Sequence, residues 1–96
     1  MNNNEEEYHF GCWRIRADML ASIRRYVEQG IRPCDFLTAI ICDEPLSVIA
    51  TLGDTDNLKN LMAFVSYFYN EVPTRAWHSR ENMEAWIASK SQARNN

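Results

Sequence analysis

The run "FLTAIIC", residues 36–42, constrains this chain more than any other stretch. It is the longest apolar run in the sequence, bracketed by Pro33 and Asp35 on one side and by Asp43, Glu44 and Pro45 on the other. It is far shorter than the roughly 18 residues a membrane span needs. A buried strand and a buried helix share such a pattern, because periodicity does not separate them over so few positions. The flanks favour the helix. A proline in the first turn lacks only an N–H that would be unpaired there anyway, and an acid in that turn opposes the positive end of the helix dipole. Phe36, Leu37, Ala39, Ile40 and Ile41 then surround the helix on nearly all sides. A helix apolar all round belongs at the centre of a fold.

The neighbouring segments supply a shell for that centre. Over residues 13–29, Trp13, Ile15, Met19, Leu20, Ile23, Tyr26 and Val27 share one helical face, and Gly30 stands where a left-handed C-cap is expected. Residues 43–53 repeat the grammar: Asp43 caps, Leu46, Ile49, Ala50 and Leu52 pack, and Gly53 stops. Asp54, Thr55 and Asp56 form a loop and cap for a longer helix over 57–70. Its apolar face is Leu58, Leu61, Met62, Phe64, Val65, Phe68 and Tyr69, with Lys59, Asn60, Ala63, Ser66, Tyr67 and Asn70 opposite. After a turn at Pro73, Ser79 opens a last helix to about residue 89, and Trp77 stands just before that cap, where an apolar residue staples the helix entry. The expectation is an all-α, compact single domain of about five short helices around a central apolar helix, spanning 13–89 with no sheet. Residues 1–12 read as a flexible acidic tail and 90–96 as a disordered one, since neither buries enough to offset its ordering entropy.

Composition narrows the function. A net charge of −3 argues against a general nucleic-acid binder, whose surface is usually strongly basic. The polar, acidic start lacks the basic and apolar stretches of a signal peptide, which points to a cytoplasmic protein. Cys12, Cys34 and Cys42 include no CxxC pair, so neither a disulfide framework nor a structural zinc site is expected. There is no Gly-rich phosphate loop, no HExxH and no GxSxG, and the two histidines lie far apart in sequence. No catalytic residue, metal ligand or cofactor is assigned, and the chain reads as a non-enzyme.

What remains is surface chemistry. Five arginines fall between positions 14 and 32, and five acids without a lysine or arginine fall between 33 and 58. That segregation suits self-association, basic edge to acidic edge, or capture of an anionic partner. Arg16 intrudes on the apolar face of the first helix, either snorkelling outward or holding a carboxylate or phosphate. Arginine and tyrosine outside the core are the residue types that carry most interface energy. The candidate binding set is therefore Arg16, Arg24, Arg25, Tyr67, Arg75 and His78. An anion site would follow if Arg16 faced the same cleft as the turn over 72–79.

Gly30, Pro33, Asp35-Phe36-Leu37, Asn57, the segment "YFYNEVP" at 67–73, Trp77, Ser79 and Trp86 together resemble a group of small bacteriophage and prophage proteins, mostly of unknown function. The resemblance covers about residues 14–88. Those relatives read more like "APxxCWGS" where this chain has Val72 and "RAWHS", so Arg75 and His78 depart from the pattern. The resemblance implies a phage setting and a host cytoplasm, and names no reaction. By analogy with other small phage proteins, the expected function is a non-enzymatic binding protein that blocks or sequesters a host factor or signalling molecule, such as a defence component. The expected partner is a host protein or an anionic small molecule, with a homodimer as the expected state. The alternatives are a structural or regulatory helper touching nucleic acid, and a small enzyme.

Overall fold

The computed structural model describes residues 6–95. Near its start the chain turns back on itself at Gly11, whose φ of 61° is open to glycine at little cost. Strands β1 (Tyr8–Phe10) and β2 (Trp13–Ile15) pair antiparallel, with Tyr8 opposite Ile15 and Phe10 opposite Trp13. The protein is thus largely helical, not strictly all-α. Residues 8–10 belong to a hairpin where a flexible tail was expected, and the first helix begins four residues later than its periodicity suggested. Residues 1–5 of that expected tail lie outside the described residues.

Six helices follow: α1 (Ala17–Gln29), α2 (Asp35–Ile41), α3 (Leu46–Leu52), α4 (Thr55–Lys59), α5 (Leu61–Glu71) and α6 (Arg80–Asn95), with a 3-10 turn at Thr74–Ala76. α6 runs through most of the segment expected to be a disordered C-terminal tail. Five of the seven residues of α2 are buried, as its all-round apolarity required. α1 buries Met19, Leu20, Ile23 and Tyr26, and Gly30 ends it at φ 71°. Ser79 caps α6 by accepting from the Asn82 amide at 3.0 Å, and Asp54 caps α4 by accepting from the Asn57 amide at 2.8 Å. Asp43 caps nothing: the residue before α3 is Pro45.

The helix expected over 57–70 is broken at Asn60. There the side chain is drawn to the hairpin, accepting from the Arg14 amide at 2.8 Å while donating to the Asp56 carbonyl at 2.8 Å. The break has a consequence for every face of α5. Both strands pack on it. The Tyr8 hydroxyl meets Ser66 Oγ at 2.8 Å, and the Tyr8 and Tyr67 rings stand edge to face with centroids 4.9 Å apart. The face of α5 that reads as polar, Ala63 and Ser66, is therefore buried under the hairpin, while Met62, Val65 and Tyr69 are exposed.

Gly53 is also not the left-handed stop its place after α3 suggested. Its φ is −88°, and a Cβ there would lie 2.7 Å from Phe36 Cε1 and 3.0 Å from Leu58 Cδ2. Glycine is needed for room.

Candidate functional site: an apolar groove between α3 and α5

The arginines of the sequence-derived set come first. Arg16 is held by three carboxylates: Asp18 at 2.8 Å, Asp54 at 3.1 Å and Asp56 at 3.5 Å. Arg14 also reaches Asp56, at 3.3 Å. The basic-to-acidic pairing expected between two copies is thus made within one chain. The Asn57 amide holds the Asp54 carboxyl below its ordinary range, with Arg16 adding to it and burial opposing it. Arg16 does not share a cleft with the turn over 72–79. It lines a shallow hollow with Met19, Asp35 and Asp54, whereas Arg75 lines a separate one with Asn82 and Trp86. The anion site that would have joined them is not formed.

Arg24 pairs with Glu6 at 2.6 Å, and Glu6 and then the Tyr67 hydroxyl push its pKa up. Tyr67 is half-buried, packed between Tyr8 and Phe68. Arg24 and Tyr67 are therefore brought together, at the hairpin. Arg25 is exposed on α1, with no ion pair among the described residues. Arg75 sits 5.8 Å from the centroid of the Trp86 ring. His78 stacks on Trp77 at 3.7 Å and faces the edge of Tyr69 at 6.2 Å. The six residues do not form one site.

A different surface gathers the unexplained features. Eight large hydrophobic residues are exposed among the described residues, and six of them lie on two helices: Leu46, Val48 and Leu52 on α3, and Met62, Val65 and Tyr69 on α5. α3 buries only Ile49, although Ala50 and Leu52 were expected to pack. Leu46 is 72% exposed and Tyr69 69% exposed, the highest values of the eight. Scattered exposed apolar residues are ordinary, but Leu46, Val65 and Tyr69 line one groove together, whereas Val48 and Leu52 line a separate hollow with Asp35 and Arg80.

Between these helices runs a groove of about 270 Å³, floored by Ile40, Ile49 and Phe64 and walled by Leu46, Val65 and Tyr69. Trp77 closes one end, its ring 5.0 Å from Tyr69 and 5.4 Å from Phe68. Asp43 and Glu44 stand on the rim. Glu44 is near Arg80 at 3.9 Å, while Asp43 has no ion pair among the described residues. The only non-glycine residues with positive φ among the described residues are Asp43 (58°), which lines this groove, and His78 (89°), which stacks on its end residue Trp77. Such backbone is uncommon outside glycine and costs of order 1 kcal/mol or more. At His78 it lets the amide donate to the Ile41 carbonyl at 2.8 Å, which ends α2 and lays the imidazole on Trp77.

Among the described residues no group of histidine, cysteine and carboxylate side chains is placed to hold a metal ion. All three cysteines are free, and burial pushes the Cys42 thiol up, away from the thiolate a nucleophile needs. No helix among the described residues is long and apolar enough to cross a membrane. No protein-family model, curated protein or solved structure matches this chain.

Sequence reasoning missed the groove for an identifiable reason. Its walls are residues that periodicity assigns to the core, and on α5 the hairpin packs on the opposite face and leaves Val65 and Tyr69 outward. One signal was present. "YHFGCWRI" has aromatic residues on both sides of a two-residue Gly-Cys step and a β-branched Ile15 after it, which is the pattern of a tight hairpin.

Proposed function

We propose that this protein is a non-enzymatic binding protein that docks an amphipathic helix of a partner protein in the groove between α3 and α5 and thereby blocks that partner. The observation that carries the reading is a groove walled by the exposed side chains of Leu46, Val65 and Tyr69, with Asp43 at its rim in the left-handed region. The groove volume lies at the small end for a cofactor or metabolite site and suits one or two apolar side chains. Apolar anchors spaced along one helical face are a recurring way to fill such a groove. Asp43, unpaired on a chain of net charge −3, selects a partner helix that carries a lysine or arginine beside its anchors.

The phage resemblance gives this binding a setting. A stoichiometric inhibitor of a host protein, acting in the host cytoplasm and plausible as counter-defence, fits a small chain whose exposed features are those of an interface. Leu46→Ser and Tyr69→Ala test the reading. Both side chains are mostly exposed, so the melting temperature should stay nearly constant while affinity for the captured host protein falls by about 2 kcal/mol or more. Full retention of binding in the double variant would reject the groove. Light scattering that shows a dimer which the same variants dissociate would assign the groove to a second copy of this chain instead.

A further inference from the structure

In a second pocket, Arg75 and Lys90 approach the same indole. The Arg75 guanidinium carbon is 5.8 Å from the centroid of the Trp86 ring, and Lys90 Nζ is 4.8 Å from it. Together with Asn82, Ala85 and Ser89 they line an open pocket of about 290 Å³. Trp86 itself is fixed, because its Nε1 donates to the Tyr26 and Val27 carbonyls at 3.2 and 3.1 Å. Gly30 brings the end of α1 against this part of α6, with no space for a Cβ beside Lys90. The floor of the pocket is therefore set by backbone packing.

Two cations without an ion pair meet in this pocket, whereas Arg25 and Lys59, which also lack one among the described residues, line none of the hollows described above with a second cation. Arg14, Arg16, Arg24, Arg32 and Arg80 each reach a carboxylate. Arg75 and Lys90 have no carboxylate within ion-pair distance among the described residues, and Glu84, on the same helix, is already held by Arg32 at 2.9 Å. Two like charges share one aromatic ring in an otherwise acidic protein. The Asn82 side-chain amide donates to the Trp77 carbonyl at 2.7 Å, which holds that side chain in place.

We infer that this pocket is an anion site that takes a phosphate dianion between Arg75 and Lys90. A dianion matches the two cations in charge. The guanidinium offers paired donors to two oxygens, the ammonium a point charge to the third, and the Ser89 hydroxyl a further donor. A carboxylate satisfies only half of that charge. The indole adds a flat apolar surface beside the phosphate, where an attached organic group can rest. The site is distinct from the groove between α3 and α5 and would make partner binding responsive to a phosphorylated ligand, or would take up a phosphorylated small molecule by itself.

The test is an NMR titration of the full-length chain at constant ionic strength, with the Trp86 indole N–H as the reporter. Three probes are used: sodium phosphate, adenosine monophosphate and sodium acetate. Saturable shifts of Trp86 with phosphate and weaker or no response to acetate are expected. Arg75→Gln and Lys90→Gln should each weaken the phosphate affinity by about tenfold, since each removes a charge-assisted contact. Tighter binding of the nucleotide than of phosphate would identify a phosphorylated small molecule as the ligand, and equal binding would identify the phosphate group alone. Acetate binding equal to phosphate, a linear response without saturation, or unchanged affinity in both variants would overturn the assignment.

Discussion

Replacing Tyr8 with alanine separates a hairpin that belongs to the fold from a tail that merely leans on it. Three contributions disappear together. The hydroxyl contact to Ser66 Oγ at 2.8 Å is worth about 1 kcal/mol net. The edge-to-face pair with Tyr67 adds about 1 kcal/mol beyond its buried area. Partial burial of the ring against α5 adds about another 1 kcal/mol. A loss near 3 kcal/mol is a large fraction of the roughly 5–15 kcal/mol that holds a domain together. In urea, with a slope of about 1–2 kcal/mol per molar for a chain this small, the midpoint should fall by about 1.5–3 M at unchanged slope. Tyr8→Phe should lose only the hydroxyl share, about a third of the effect. Circular dichroism against urea reads both. If Tyr8→Ala unfolds at the wild-type midpoint, the hairpin is not part of the cooperative unit, and the outward face of α5 loses its explanation.

Two further outcomes follow from local geometry. Gly53→Ala should destabilise by about 1–3 kcal/mol, read as a drop in melting temperature of about 4–8 °C per kcal/mol, because the new Cβ meets Phe36 and Leu58; a rise, as for a glycine needed only for flexibility, would contradict the packing. Asp54 is held below its ordinary 3.8, so its contribution is present above that value and is lost as the pH falls through the lower folded pKa. Asp54→Asn, which keeps a capping oxygen, should therefore flatten the fall in melting temperature below about pH 4, and an unchanged acid limb would count against the stabilisation of the Asp54 carboxylate by the Asn57 amide and Arg16.

How far the sequence speaks for the structure depends on whether a segment meets its neighbours through local or distant rules. α1 was legible because Met19, Leu20, Ile23 and Tyr26 obey a helical period and Gly30 obeys a capping rule, both local. α2 was legible because a helix apolar on all sides has one place to go. β2 was not, since Trp13 and Ile15 also fit the period of α1, and nothing local reveals that Arg14 and Asn60 will bond across the chain. From that one long-range pairing came the break at Asn60, the burial of Ser66 and the exposure of Val65 and Tyr69. The candidate site was hidden for the same reason. Arg16, read as either scaffold or ligand clamp, is held by Asp18 two residues on and by Asp54 and Asp56, which only the fold brings near. Arg75 and His78 were singled out by residue type, which is sound chemistry, but their neighbours Trp86, Lys90 and Trp77 come from packing.

The central proposal is that the groove between α3 and α5 receives a partner protein, and site-specific photocrosslinking in the host cell addresses it most directly. A benzophenone side chain is placed at Tyr69 or Leu46 in the groove walls, and at exposed Glu28 on α1 as the control. The expected result is one host polypeptide captured from positions 69 and 46 and absent from position 28. The same polypeptide captured equally from position 28, only a second copy of this chain captured from the groove, or no adduct at all would contradict the proposal.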